Sequence, residues 1–163
     1  MIRKIYLIIS TTLILMEYVI LCIGNRYGGD DGIGPYIANN LKNQENNNFI
    51  IIDCGTNPEN YTSVIKRFNP KNLIIIDAVE MNLQPGEIRF IKKEKIGVMH
   101  ISTHNIPISL LIDYLEKYVK NIYFIGIQSR KMSGELSKEV KKSADFLIEY
   151  IKKRKFEMIK ILD

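Results

Sequence analysis

The sequence predicts an α/β fold, a three-layer α/β/α sandwich around a mostly parallel five-stranded twisted sheet. Two observations predict it. Short β-branched runs alternate along the chain with amphipathic stretches of helical period, and the runs are apolar almost throughout. Such continuous apolar character is typical of parallel strands that are buried on both faces. The predicted strands, in chain order, are Tyr18–Ile23, Phe49–Asp53, Leu73–Asp77, Ile88–Ile91 and Ile122–Ile127.

Four helices are predicted between and after these strands. The first begins near Pro35, because proline is tolerated in the first turn of a helix. The others follow from apolar residues that recur every three or four positions. Pro85 and Gly86 predict a turn, so the run after them is expected to be an edge or antiparallel strand. The inward-facing residues of the four helices are Ile33, Ile37 and Leu41; Tyr61, Val64, Ile65 and Phe68; Ile108, Leu111, Ile112 and Leu115; and Leu136, Val140, Ala144, Leu147 and Ile151.

Composition limits the class of protein. The 163 residues fit one domain, and a mean hydropathy of −0.05 excludes a polytopic membrane protein. The net charge of +5 includes a lysine-rich last helix, but no nucleic-acid-binding motif accompanies it. Cys22 and Cys54 lie in or beside apolar strands without metal-binding spacing, which fits a reducing compartment. We therefore expect a cytoplasmic monomer that binds neither nucleic acid nor membrane.

The first 15 residues contain an apolar run that resembles the core of a signal peptide. No small-residue cleavage site follows it, and Glu17 interrupts it. The segment after Met16 is a complete first strand that leads directly into a glycine-rich loop. We therefore expect residues 1–15 to be a dispensable extension or a misassigned start, and residues 16–163 to form the single domain.

Polar residues follow three of the predicted strands, at the edge where open α/β sheets bind ligands. A glycine-rich loop spans residues 24–34 and contains Asp30 and Asp31. Asp77 closes the third strand, and His104 lies just ahead of the third helix. The loop's two acids would repel a phosphate, and its spacing matches no nucleotide-binding motif. A nucleotide site is therefore not expected.

Each of these residues also has an ordinary structural explanation. One acid of the adjacent pair can cap the helix, and this explanation suits Asp30 better than Asp31. Asp77 can bond the next turn, and a lone histidine such as His104 is more often packed than ligating. Together, however, two carboxylates and one imidazole can converge on one cation. The imidazole favours nickel, zinc or a neighbouring transition metal, and three ligands leave positions open for a substrate.

Five segments of the chain resemble the hydrogenase maturation endopeptidases, which trim the C-terminus of the large subunit of nickel–iron hydrogenases. The segments keep the order of that family and cover most of the chain. They are Cys22–Asn25 with Gly29–Pro35, Asp53–Asn60, Ile76–Ala78 with Pro85–Ile88, Thr103–Pro107, and Phe124–Gln128.

The resemblance implies that Asp31, Asp77 and His104 form one site that is both metal-binding and catalytic. It implies an aspartate-dependent endopeptidase whose partner is the precursor of a hydrogenase large subunit. The nickel is carried by that substrate, and other divalent transition metals are expected to bind the same residues weakly. The precursor is expected to be cut just beyond a C-terminal motif of cysteine and histidine or arginine.

Two finer points concern the branch of the family and the group that activates water. Many relatives carry glutamate where this chain has Asp31, so the aspartate indicates the formate-hydrogenlyase-type branch of the family. Whether a carboxylate or the metal activates the attacking water is not decided.

Two other functions share part of this pattern. A receiver-like signalling module needs its acids directly after the first strand, whereas Asp30 comes six positions after Gly24. A chaperone that binds the hydrogenase precursor without cutting it is not distinguished from a protease by these residues.

Overall fold

A single mixed sheet forms the middle layer of the protein. The computed structural model describes residues 16–46, 48–97 and 106–163. The strands are β1 (Tyr18–Ile23), β2 (Phe49–Gly55), β3 (Asn72–Val79), β4 (Ile88–Ile91), β5 (Asn121–Gln128) and β6 (Lys160–Ile161). Their order in the sheet is β2-β1-β3-β5-β4-β6. The first four strands in this order are parallel to one another, β4 is antiparallel to β5, and β6 is parallel to β4.

Helices cover the sheet on both faces. They are α1 (Ile33–Leu41), α2 (Thr62–Phe68), α3 (Lys93–Ile96), α4 (Ile108–Leu115) and α5 (Lys138–Lys152). Single 3₁₀ turns lie at Gly29–Gly32, Lys42–Gln44, Pro58–Tyr61 and Phe156–Met158. Within the ranges described here, no helix combines the length and apolar character needed to cross a membrane.

The sheet separates two hydrophobic cores, which confirms the three-layer prediction. Successive residues of a strand point to opposite faces, so Ile75 of β3 enters one core and Ile76 enters the other. Ile75 packs on the face covered by α2, α3 and α4, and Ile76 on the face covered by α1 and α5. The predicted inward residues of α1 and α4 are all buried.

Several details differ from the sequence prediction. Tyr61, predicted to face inward from the second helix, lies in the 3₁₀ turn ahead of α2, and Asp77, predicted to close β3, lies two residues before the end of that strand. The sheet has six strands instead of five, because β6 adds a two-residue edge strand whose residues are both exposed. Such a strand has no apolar pattern to reveal it. Leu136 lies before α5 and not on its stripe, and the short helix α3 was not predicted. The strand after Pro85 and Gly86 is antiparallel to β5, as expected.

The chain enters the sheet at Met16. This residue is buried, and its carbonyl oxygen accepts a hydrogen bond from the N–H of Lys71 at 2.9 Å. The N–H and C=O of Glu17 bond to Asn48 and Asn72. Residues 1–15, predicted to be dispensable, lie outside the described residues.

Candidate active site at the carboxyl edge of the sheet

The glycine-rich loop folds back tightly on the end of β1. Gly24 has a φ of +145°, and a Cβ built on it would lie 1.8 Å from the carbonyl oxygen of Asp31. Only glycine therefore fits there. The N–H of Gly24 also donates to the carbonyl of Gly55 at 2.9 Å, and Arg26 forms an ion pair with Asp53 at the end of β2. The loop is held to both neighbouring strand ends.

Asp31 lies in the 3₁₀ turn Gly29–Gly32 that this loop forms before α1. Its side chain is only 5% exposed, and its Oδ2 accepts a hydrogen bond from the N–H of Asn25 at 3.1 Å. The turn packs beside β3. The loop thus places one buried carboxylate next to the strand that carries the second predicted acid.

Asp77 is fully buried in β3, two residues before the strand ends. It lies between Ile75 and Val79 in the alternation of the strand, so its side chain points to the face covered by α2 and α4. Its Oδ1 accepts a hydrogen bond from the N–H of Ala78 at 2.8 Å. Because β1 and β3 are adjacent, Asp31 and Asp77 belong to the same edge of the sheet.

The third predicted ligand, His104, lies outside the described residues, as does the other histidine, His100. In the described ranges, no three His, Cys, Asp or Glu side chains are grouped to hold a metal ion. The start of the following helix was expected near Pro107, and α4 begins at Ile108 with Pro107 as its N-cap. The three-residue site stays a prediction.

Asp30 does not cap the helix, which corrects the sequence interpretation. The N-cap of α1 is Gly32, with no side-chain cap. Asp30 is fully buried and accepts four hydrogen bonds from the segment between β5 and α5. Its Oδ2 accepts from the N–H groups of Arg130 and Lys131 at 2.7 and 3.0 Å. Ser137 donates its N–H to Oδ1 at 2.7 Å and its hydroxyl to Oδ2 at 3.0 Å. Asp30 therefore fastens the glycine-rich loop to the β5–α5 connection.

Gln128 is a second buried anchor that the sequence analysis did not single out. Its Oε1 accepts from the N–H groups of Met81 and Leu83 at 2.7 and 3.2 Å. Its Nε2 donates to the carbonyl of Ser129 at 2.8 Å. The chain after Asp77 is thereby fixed to the end of β5. The sequence does contain a signal for this anchor, because Gln128 is a polar residue at the end of an apolar strand.

The two cysteines are buried free thiols, as expected. Burial raises the pKa of the Cys22 thiol, and the neighbouring Cys54 and Asp53 add to the rise. Burial is also the main cause that raises the pKa of the Cys54 thiol, with further contributions from the charges of Asp53, Asp77 and Glu59. A thiol nucleophile needs a lowered pKa, so these residues are structural.

Comparison with known proteins identifies the class. The model of the hydrogenase maturation protease family of HycI type matches residues 35–154. The hydrogenase 3 maturation protease of Escherichia coli K12 is 42% identical over 114 residues, which are 69% of this chain and 73% of the relative.

Solved structures agree with this result. The endopeptidase HycI from Escherichia coli superposes with a TM-score of 0.83 at 33% identity, covering 91% of this chain and 97% of that one. The [NiFe] hydrogenase maturation protease HycI from Thermococcus kodakarensis gives a TM-score of 0.77 at 30% identity, covering 85% and 91%.

The fold and these similarities define a peptidase. The chain belongs to the hydrogenase maturation protease family, and it is an endopeptidase of hydrogenase maturation. The predicted family resemblance, the fold class and the enzyme class are thereby confirmed.

Proposed function

We propose that this endopeptidase removes the C-terminal extension of a nickel-loaded precursor of a nickel–iron hydrogenase large subunit, and that Asp31, Asp77 and His104 contact the substrate's nickel. The observation that carries the proposal is the placement of two buried carboxylates on one edge of the sheet. Carboxylate oxygens together with one imidazole suit nickel and neighbouring transition metals.

The chemistry follows from where the carboxylates lie. Asp31 and Asp77 are shielded from solvent, so their charges act through a medium of low dielectric and interact strongly with a cation that a substrate brings in. In our proposal, a precursor without nickel lacks this attraction and is not cut. One of the two aspartates then takes the proton of the attacking water, which makes the enzyme an aspartate-dependent protease.

The setting of the reaction is part of the same proposal. We place it in the cytoplasm, with the enzyme as a monomer and the precursor as its partner, without nucleic acid or membrane. The single domain of residues 16–163 is sufficient for cleavage of the precursor. Other divalent transition metals bind the same three residues weakly when the precursor is absent, and binding weakens as His104 takes up a proton.

Cleavage of nickel-loaded and nickel-free precursor tests the proposal. Asp31→Asn and Asp77→Asn remove the charge, but the amide oxygen still accepts the bonds from Asn25 and Ala78, so the fold should survive. Cleavage of the nickel-loaded precursor should fall by about 100-fold or more. Asp145→Asn, which changes an exposed acid of α5 on the opposite face of the sheet from α2 and α4, is the matched control and should cleave normally.

The precursor's mobility on a denaturing gel gives the cleaved fraction, and thermal melts show that each variant is folded. Equal cleavage of both precursor forms would contradict the recognition of nickel. Full activity of folded Asp77→Asn would contradict the assigned residues. Tight precursor binding without any cleavage would favour the chaperone function instead.

A further inference from the structure

A surface cavity of about 550 Å³ lies between the turn Pro58–Tyr61, α2 and α4. Its wall is mainly apolar, and Leu110 and Tyr114 of α4 stay 58% and 37% exposed there. Exposed apolar side chains that line a concave surface are typical of a binding site. The described residues that line it are Glu59, Thr62, Ile106, Leu110, Leu111, Asp113, Tyr114 and Lys117.

Glu59 is the unusual member of this wall. Its Oε1 accepts a hydrogen bond from the side-chain amide of Asn57 at 3.2 Å. Its Oε2 is buried and has no hydrogen-bond partner in the part of the chain that the structure describes. Buried carboxylate oxygens nearly always have partners, because the group has lost its water. The carboxylate is therefore able to accept a hydrogen bond that the described residues do not supply.

The other charged residues of the wall differ from Glu59. Asp113 is engaged by Lys93, whose Nζ lies 2.6 Å from its Oδ1. Lys117 is exposed to solvent. The end torsion of a glutamate side chain is broad, so a small rotation can turn the unpaired oxygen of Glu59 toward a donor in the cavity. A cation that enters this cavity thus meets a carboxylate with one buried oxygen that no described residue pairs.

The acidic end of the cavity is close to the candidate active site. The turn Pro58–Tyr61, which carries Glu59, follows β2 and packs against it, and Asp77 lies in β3, two strands away in the same sheet. Neighbouring strands lie about 4.8 Å apart, and the side chain of Asp77 points to the face that α2 and α4 cover, where the cavity lies. Three residues of extended peptide span about 10 Å. A peptide whose reacting bond lies beside Asp77 therefore has the reach to place a neighbouring side chain in the cavity.

We propose that this cavity is a substrate subsite that holds a basic side chain of the precursor peptide, with its apolar stem against Leu110, Leu111 and Tyr114 and its cationic head paired with Glu59. The inference rests on the proposed function, since it assumes a peptide substrate at the edge that carries Asp77. It adds a specificity residue to that function, and Glu59 takes no part in bond cleavage.

Binding of two blocked tripeptides tests the subsite without any cleavage. The probes are acetyl-leucyl-arginyl-leucinamide and its citrulline analogue, which has the same shape but no charge. The full chain, labelled with ¹⁵N, is titrated with each peptide while the amide signals of Thr62, Leu111 and Tyr114 are followed. The arginine peptide should bind at least about tenfold more tightly than the citrulline peptide, the ratio expected for one hydrogen-bonded charge pair.

Glu59→Gln should bring that ratio close to one. Glu116→Gln removes an equally negative residue near the end of α4 that does not line the cavity, and it should keep the preference for arginine. The melting temperature of Glu59→Gln should equal or exceed that of the unmodified protein, because the substitution removes an unpaired buried charge. A melting temperature well below it would show that the carboxylate has a structural partner and would overturn the inference.

Three further results would also overturn the subsite. They are equal affinity for the two peptides, an unchanged ratio in Glu59→Gln, and signal changes that leave the cavity residues untouched. None of them bears on nickel-dependent cleavage, because these peptides carry no nickel and are not cut. Conversely, failure of the nickel experiment would leave the arginine preference as measured, so the two proposals fail separately.

Discussion

Replacing Asp30 by asparagine should destabilise the protein, because this buried carboxylate accepts four hydrogen bonds from the β5–α5 connection. An asparagine side chain must put its NH₂ group at one of the two oxygen positions. At the Oδ2 position it would face two backbone N–H groups and a hydroxyl. At the Oδ1 position it would face the N–H of Ser137 alone. The second orientation is therefore the better one.

The magnitude follows from that orientation. One buried N–H is left without an acceptor, which costs about 1–3 kcal/mol, and the three remaining bonds lose the strength that the charge gives them. We expect a total loss of about 2–4 kcal/mol. Asp30→Ala removes all four bonds and should cost about 3–5 kcal/mol, as for other broken buried charge interactions. Either loss is large against the 5–15 kcal/mol that typically stabilises a domain.

Urea denaturation followed by far-ultraviolet circular dichroism measures these losses. The matched control is Asp113→Asn, whose carboxylate is exposed and forms a surface ion pair with Lys93, so its change should stay within about 1 kcal/mol. If Asp30→Asn unfolds within about 0.5 kcal/mol of the unmodified protein, the four hydrogen bonds of Asp30 do not fasten the two loops, and the reasoning is wrong.

Three further predictions concern other parts of the fold. The thiols of Cys22 and Cys54 should resist iodoacetamide at mildly alkaline pH until the protein unfolds. Burial raises the pKa of both thiols above the unfolded value of about 8.5, so the unfolded chain loses these protons first as pH rises. Their contribution to the free energy of unfolding, measured by urea titration, should therefore be full below that pH and lost as pH rises beyond it. Reaction of the native protein at the rate of a free thiol would contradict this. Gly24→Ala should fail to fold or lose more than about 3 kcal/mol, because its Cβ would lie 1.8 Å from a backbone oxygen, whereas Gly97→Ala, with open space, should be close to neutral. A protein that begins at Met16 should fold and cleave as the full chain does, and a lower urea midpoint would show that residues 1–15 contribute.

The layers of the fold could be predicted because their signals are local. Apolar runs and helical spacing within a few residues locate β1 to β5 and four of the helices. The strand β6 could not be found, because two exposed residues carry no apolar pattern and gain their place from pairing with β4 alone. The start of α5 was predicted too early, at Leu136, for another reason. Ser137 precedes that helix, and its hydroxyl serves Asp30 instead of the helix end.

The candidate site was predictable only in part. Asp31 and Asp77 stand out in the sequence as acids after or at the end of predicted strands, and in the structure both belong to one edge of the sheet, Asp31 in a 3₁₀ turn and Asp77 two residues before the end of β3. The role of Asp30 depends on partners 100, 101 and 107 residues away, which no local pattern reveals. An aspartate that precedes a helix looks like a cap until those partners are known. Glu59 likewise becomes notable only through the cavity beside it.

At this edge of the sheet, the residues that hold the structure are different from the residues proposed to carry the chemistry. The loop that carries Asp31 is fixed by Asp30, and the chain after Asp77 is fixed by Gln128, so neighbouring residues hold the geometry of the two candidate acids. A site that is held by such a supporting shell needs little rearrangement when its substrate binds. Asp30→Asn should therefore lower both stability and cleavage, whereas Asp31→Asn should lower cleavage and leave stability nearly unchanged. If both variants lost stability equally, the glycine-rich loop would be held by its two acids together, and the charge of Asp31 would be structural.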